Sequence, residues 1–168
     1  MSAYIFLASD SPLKNIYNTK IKLYSVDEAK KQGVLENADG WIKDWADNAG
    51  TEKSQKENTI MHVDYLEDLG ELEIIPGYYK VDMYTKKRYN CAVSITYTTD
   101  RTKALIDYIA EHLTEAGEIE LWHIWMDEEK TPVISECMLN KLDEAHIKSI
   151  LYHDLYIPVC LIVKKSNL

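Results

Sequence analysis

Glycine is scarce in this chain. With 6 glycines in 168 residues, neither Gly-x-Gly-x-x-Gly nor the phosphate-cradling P-loop pattern occurs, and Gly-x-Ser-x-Gly is also absent. Those motifs need glycine so that backbone can approach phosphate or expose a nucleophile. Dinucleotide, nucleoside-triphosphate and serine-hydrolase chemistry of those types therefore finds no support. Cysteine is sparse too. Cys91, Cys137 and Cys160 are odd in number and far apart, and no Cys-x-x-Cys occurs. Buried thiols in a reducing compartment are expected, with no disulfide framework. No run reaches the ~20 apolar residues that span a bilayer. Ala3–Ala8 is too short for a signal core and lacks a basic lead-in, so the expected location is cytoplasmic.

Positive charge is the next deficit. Against 28 acidic residues stand 19 basic ones, giving a net charge of -9. That balance argues against nucleic acid and anionic membranes as partners and suits a basic protein partner. The one basic cluster is Lys86-Lys87-Arg88, expected as the tip of a hairpin that discourages edge aggregation. Phenylalanine is nearly missing, while 12 tyrosines and 4 tryptophans are present. Tyrosine suits half-buried strands and interfaces, because its ring packs while its hydroxyl stays wet.

What the chain does contain is organised around Glu118–Asp127. Leu121, His123 and Trp125 lie on one side of this run, and Trp122, Ile124 and Met126 on the other. An extended segment apolar on both sides is expected as a central strand covered on both faces. Ala3–Ala8 reads as a buried first strand ended by a Ser9-Asp10-Ser11-Pro12 turn. Ile21–Tyr24 reads as an edge strand. Ser25 and Glu28 spell a capping box for a short helix that Gly33 closes. Strands are expected over Thr59–Tyr65, Leu72–Ile75, Tyr78–Tyr84 and Tyr89–Thr98, the last two as a hairpin around Thr85–Arg88. Asp100–Ala116 has the strongest helical periodicity, with Gly117 as its cap. Val133–Cys137 is expected as the hairpin partner of the central strand. A helix beginning at Asn140 or Asp143 follows, then a last strand over Tyr156–Val163.

From Tyr89 onward this order is β-α-β-β-α-β, the ferredoxin-like pattern. The fold class expected is α+β: a mostly antiparallel sheet with that C-terminal pattern, and an N-terminal half that extends or covers it. The whole of 1–168 reads as one domain with a mobile polar loop near 46–58.

Chemistry is harder to find. The five histidines lack metal-ligand spacing, and Asp143-Glu144-Ala145-His146 spells a helicase motif without the phosphate loop that gives it meaning. No catalytic residue, metal or cofactor is assigned. The leading expectation is a small acidic protein that binds another protein, as an inhibitor or immunity-type partner of a basic effector. Its site is placed at Trp41, Asp44, Trp45 and Asp47, where two tryptophans four residues apart share a helix face beside the polar loop. The alternative is a small-molecule-binding domain or enzyme with a pocket between the sheet and its N-terminal cover. That pocket would use Ser9, Asp10 and His123, with Trp122 or Trp125 as walls. A homodimer through tyrosine-rich strands is a third expectation.

Overall fold

The computed structural model describes residues 3–48, 59–77, 79–125, 130–153 and 156–166. Most of the polar loop expected near 46–58 lies outside the described residues, as do Tyr78, Met126 and Asp127. The chain divides into two compact units, Asn18–Leu69 and the remainder on either side of it. Among the described residues no helix is long and apolar enough to cross a membrane.

The larger unit holds a six-stranded, mostly antiparallel sheet. Its strands are β1 (Ala3–Ser9), β4 (Glu73–Pro76), β5 (Tyr89–Ser94), β6 (Glu118–Trp125), β7 (Val133–Met138) and β8 (Val159–Lys164), in the spatial order β4-β5-β1-β6-β8-β7. The smaller unit contributes β2 (Lys22–Ser25) and β3 (Thr59–His62), which pair with each other. It also holds helices α1 (Val26–Lys31) and α2 (Gly40–Asn48), while α3 (Thr99–Ala116) and α4 (Glu144–Leu151) belong to the larger unit.

Burial patterning decides the strand order. β6 and β8 are apolar on both faces and β1 nearly so, and all three take interior places. β7 exposes its first four residues and lies at an edge. The expected ferredoxin-like order is therefore not the order found. The succession β5-α3-β6-β7-α4-β8 holds along the chain, but β1 sits between β5 and β6, antiparallel to both. Nor do β6 and β7 form a hairpin. β8 lies between them, antiparallel to β6 and parallel to β7.

Both helices cover one face of this sheet. Leu105, Tyr108, Ile109 and Leu113 of α3, with Ile147 and Ile150 of α4, pack on Leu7, Val93, Ile119, Leu121, Leu161 and Val163. The local signals act where the sequence places them. Thr98 caps α3 by accepting from the Arg101 N–H, and Gly117 ends it at φ 73°. Asp143 caps α4 through the His146 N–H at 3.0 Å.

The opposite face carries Tyr4, Phe6, Trp122, Ile124 and Cys160. It is covered in part by residues 79–85, and here the expected strand over Tyr78–Tyr84 is corrected. The segment turns, with Tyr84 and Thr85 N–H both donating to the Val81 carbonyl at 2.8 and 3.1 Å. Three apolar side chains explain why: Tyr79, Val81 and Tyr84 all pack onto this face, an arrangement that a strand's alternation forbids. The basic tip is no free tip either. The largely covered Lys87 ammonium donates to Asp10 and Glu118, both at 2.7 Å. Burial works against that charge, but hydrogen bonds to the two carboxylates outweigh it and raise the Lys87 pKa.

Candidate functional site

In the smaller unit, Ser25 accepts from the Glu28 N–H while the Glu28 carboxylate takes the Ser25 N–H, completing the capping box that starts α1. α2 begins where the Ile42 and Lys43 N–H groups bond the Asp39 carbonyl. Ala46 is fully buried and Ile42 partly so, packing with Val26, Ala29, Leu35 and Ile60. That choice of inner face turns the two tryptophans outward. Trp41 is 70% and Trp45 42% exposed.

They have apolar company. Trp41, Ile42 and Trp45 line a shallow cavity of about 300 Å³ together with Ile60 and Met61 of β3. Met61 is paired directly with Leu23 of β2, so those two side chains stand on one face of the two-stranded sheet. Leu23 is 66% and Met61 58% exposed. Single exposed apolar side chains are ordinary; two tryptophans and a methionine around one cavity are the kind of grouping that interaction surfaces use.

The acidic half of the expected site divides. At 3.6 residues per turn, Asp44 stands roughly 60° around α2 from Trp41 and flanks the patch, whereas Asp47 stands about 160° from Trp45. Asp47 instead pairs with Lys30 of α1 at 2.9 Å. It lines a separate cavity of about 300 Å³ with Lys30, Gly33, Leu35, Glu36 and Lys43. Trp41 and Trp45 thus meet Met61 at one cavity, Leu23 pairs with Met61, and Asp44 lies on the flanking side of α2. The sequence held a signal for Leu23 and Met61, since both strands carry apolar residues beside polar ones, but only the β2–β3 register puts them side by side.

The five residues of the alternative pocket are not brought together. Ser9 and Asp10 lie where β1 meets Ile119, whereas His123 and Trp125 lie at the other end of β6, opposite Ile5 and Ala3. Ser9 is buried, and its Oγ accepts the Ser11 N–H at 3.1 Å, closing the turn. Asp10 holds Lys87, whose hydrogen bond keeps the Asp10 carboxyl below its ordinary pKa. Trp122 faces the side away from α3 and α4, stacked on Phe6 at 5.9 Å, with its Nε1–H donated to Glu120. His123 faces the helices. Its Nδ1–H donates to the Ile150 carbonyl at 2.7 Å, which leaves Nε2 as a buried nitrogen without a hydrogen-bond partner. Burial pushes its pKa down, so the ring is neutral at pH 7. His112 is fixed through both nitrogens: Nδ1–H donates to the Tyr108 carbonyl and Nε2 accepts the Lys14 N–H. Among the described residues, no group of three His, Cys, Asp or Glu side chains gathers to hold a metal ion.

One cavity in the larger unit was not foreseen. Pairing of β1 with β5 stops at Phe6–Ala92, although β1 continues along β6 to Ala3 and β5 continues along β4 to Ser94. The strands splay there around a cleft of about 400 Å³, lined by Tyr4, Glu73, Ile75, Ala92 and Ser94 among others. No alternation pattern reports where two strands part. Comparison with known proteins returns no matching family model, curated protein or solved structure.

Proposed function

We propose that this chain acts by binding another protein through the face formed by Leu23, Trp41, Trp45 and Met61, as the acidic partner of a basic protein. One observation carries the reading: Trp41, Trp45 and Met61 stand exposed around one shallow cavity, and Leu23, also exposed, is paired with Met61. Tryptophan anchors supply binding energy when a partner dries them. The charge of -9 steers a basic partner toward the surface, with Asp44 beside the anchors. An inhibitor or immunity-type role fits a chain with no assigned catalytic group. A cytoplasmic setting fits three buried, unbridged thiols.

The test is capture from the native host at low and moderate salt, with wild type and the Trp41→Ala/Trp45→Ala pair. A stoichiometric basic protein that weakens as salt rises supports the reading. Its loss from the double variant, about 100-fold in affinity or more, supports the site. Unchanged affinity in the double variant rejects that site. The second reading, a small-molecule binder, now rests on the splayed cleft, whose volume falls within the range of ligand sites. Its lining offers one carboxylate, Glu73, and no histidine, lysine or cysteine, which favours binding over catalysis. A ligand whose thermal stabilisation of the protein disappears in Ala92→Leu would establish it.

A further inference from the structure

The six-stranded sheet has two edges, and they are treated differently. At β4 the Ile16 segment closes the edge: Ile16 N–H donates to the Ile74 carbonyl and Ile74 N–H to the Ile16 carbonyl, at 2.7 and 2.8 Å. At β7 residues 133–136 are all exposed, with Val133 58% and Ile134 55% accessible. Proteins commonly guard such an edge with lysine, proline or a bulge, because its unpaired backbone groups invite another strand. Within β7 there is no lysine or proline. Its one charge, Glu136, is turned back to Lys164 of the adjoining β8 at 2.6 Å.

The direction of the open backbone groups follows from one hydrogen bond. Val133 N–H donates to the Pro158 carbonyl at 2.9 Å, toward β8. Groups alternate along a strand, so Ser135 and Cys137 also face β8, while Ile134, Glu136 and Met138 face outward. Pro132, just before the strand, has no N–H to offer and ends the usable stretch on that side. We propose that β7 pairs antiparallel with β7 of a second copy about a two-fold axis at Ser135, joining two sheets into one.

In that register Ile134 and Glu136 of each copy face Glu136 and Ile134 of the other. Both pairs have outward N–H and C=O groups, so four backbone hydrogen bonds form. A shift to an axis at Glu136 sets two carboxylates opposite each other, and a shift to Ile134 wastes the pairing on Pro132. Ser135, small and uncharged, is the residue that fits on the axis. A second copy is the occupant these positions specify, because the same two outward residues satisfy both halves of the pairing. The tryptophan face takes no part.

A six-residue edge is smaller than a standard stable interface, so the association is weak. Sedimentation velocity from about 10 µM to about 1 mM brackets the affinity expected of such a contact. The weight-average mass should rise from 19.4 kDa toward twice that value across the series. Amide exchange at Ile134 and Glu136 should slow with concentration, while that at Val133 and Ser135 should not change. Ile134→Pro removes only an outward N–H, and Ser135→Lys sets two like charges on the axis; each should abolish the rise while leaving circular dichroism unchanged. A wild-type mass constant at 19.4 kDa throughout overturns the proposal. So does a rise that survives both variants, or one that disappears instead in Trp41→Ala/Trp45→Ala.

Discussion

The larger unit buries most of its large apolar side chains, whereas the smaller one leaves several of its own in water. In the larger unit, Phe6, Leu7, Ile74, Leu105, Ile109, Ile119, Leu121 and Ile124 are all fully buried, and both faces of β6 are packed. Among the described residues of the smaller unit the buried apolar ones are Val26, Ala29, Leu35 and Ala46, two of them alanine, while Leu23, Trp41, Trp45 and Met61 stand outside. Burying a large apolar side chain stabilises a fold by roughly 1.5–3 kcal/mol, and a unit of about 50 residues has little of that to give up. That exposure is what the proposed partner-binding face would require.

Three substitutions or titrations test that contrast. The largest effect is expected in the larger core. Ile109→Ala should cost about 3 kcal/mol in chemical denaturation, because α3 and the sheet cannot collapse into the space left. A cost below about 1 kcal/mol would mean that this core is looser than its burial implies. The pH dependence comes next. His123 has a pKa lowered chiefly by burial, so below its ordinary value near 6.5 the unfolded chain takes up a proton that the folded one refuses. Stability should fall as pH drops through that value, with a His123 share no steeper than about 1.4 kcal/mol per pH unit. His123→Gln keeps a donor for the Ile150 carbonyl and cannot titrate, and between pH 7.5 and 5.5 its slope should be the shallower. Equal slopes would place the titration elsewhere. The smallest effect belongs to the smaller unit. Ser25→Ala breaks the capping box and should cost about 1 kcal/mol. Faster amide exchange confined to β2, α1 and β3 would show the smaller unit opening by itself; exchange accelerating equally in β6 would tie the two units into one cooperative structure.

Much of the fold was legible in local signals. Ser25 with Glu28, Asp143, and Gly117 at the end of α3 act through neighbours three or four residues away, so their types reveal their roles. The two apolar faces of Glu118–Trp125 likewise announced an interior strand. Strand order was not legible, because β1 reaches β6 across more than a hundred residues and alternation is silent about which neighbour a strand takes. The run Tyr78–Tyr84 passed for a strand in sequence, and the turn at Val81 with Tyr79, Val81 and Tyr84 all inward shows otherwise for the part described. For the candidate site, spacing found Trp41 and Trp45. Asp47 looked equivalent in sequence but is drawn away by Lys30, and Met61 and Leu23 were missed because a register joins them.

By itself the sequence determined the acidic balance, the capped helices, the absence of glycine-built phosphate sites and the strands that must be buried on both faces. Each of these depends on composition or on contacts within one helical turn or one strand. Only the tertiary structure decided that β8 separates the two strands expected as a hairpin, that Lys87 is held between two carboxylates, and that Trp41, Trp45 and Met61 line one cavity. Those outcomes depend on pairings between distant segments, which are selected by the packing of the whole sheet.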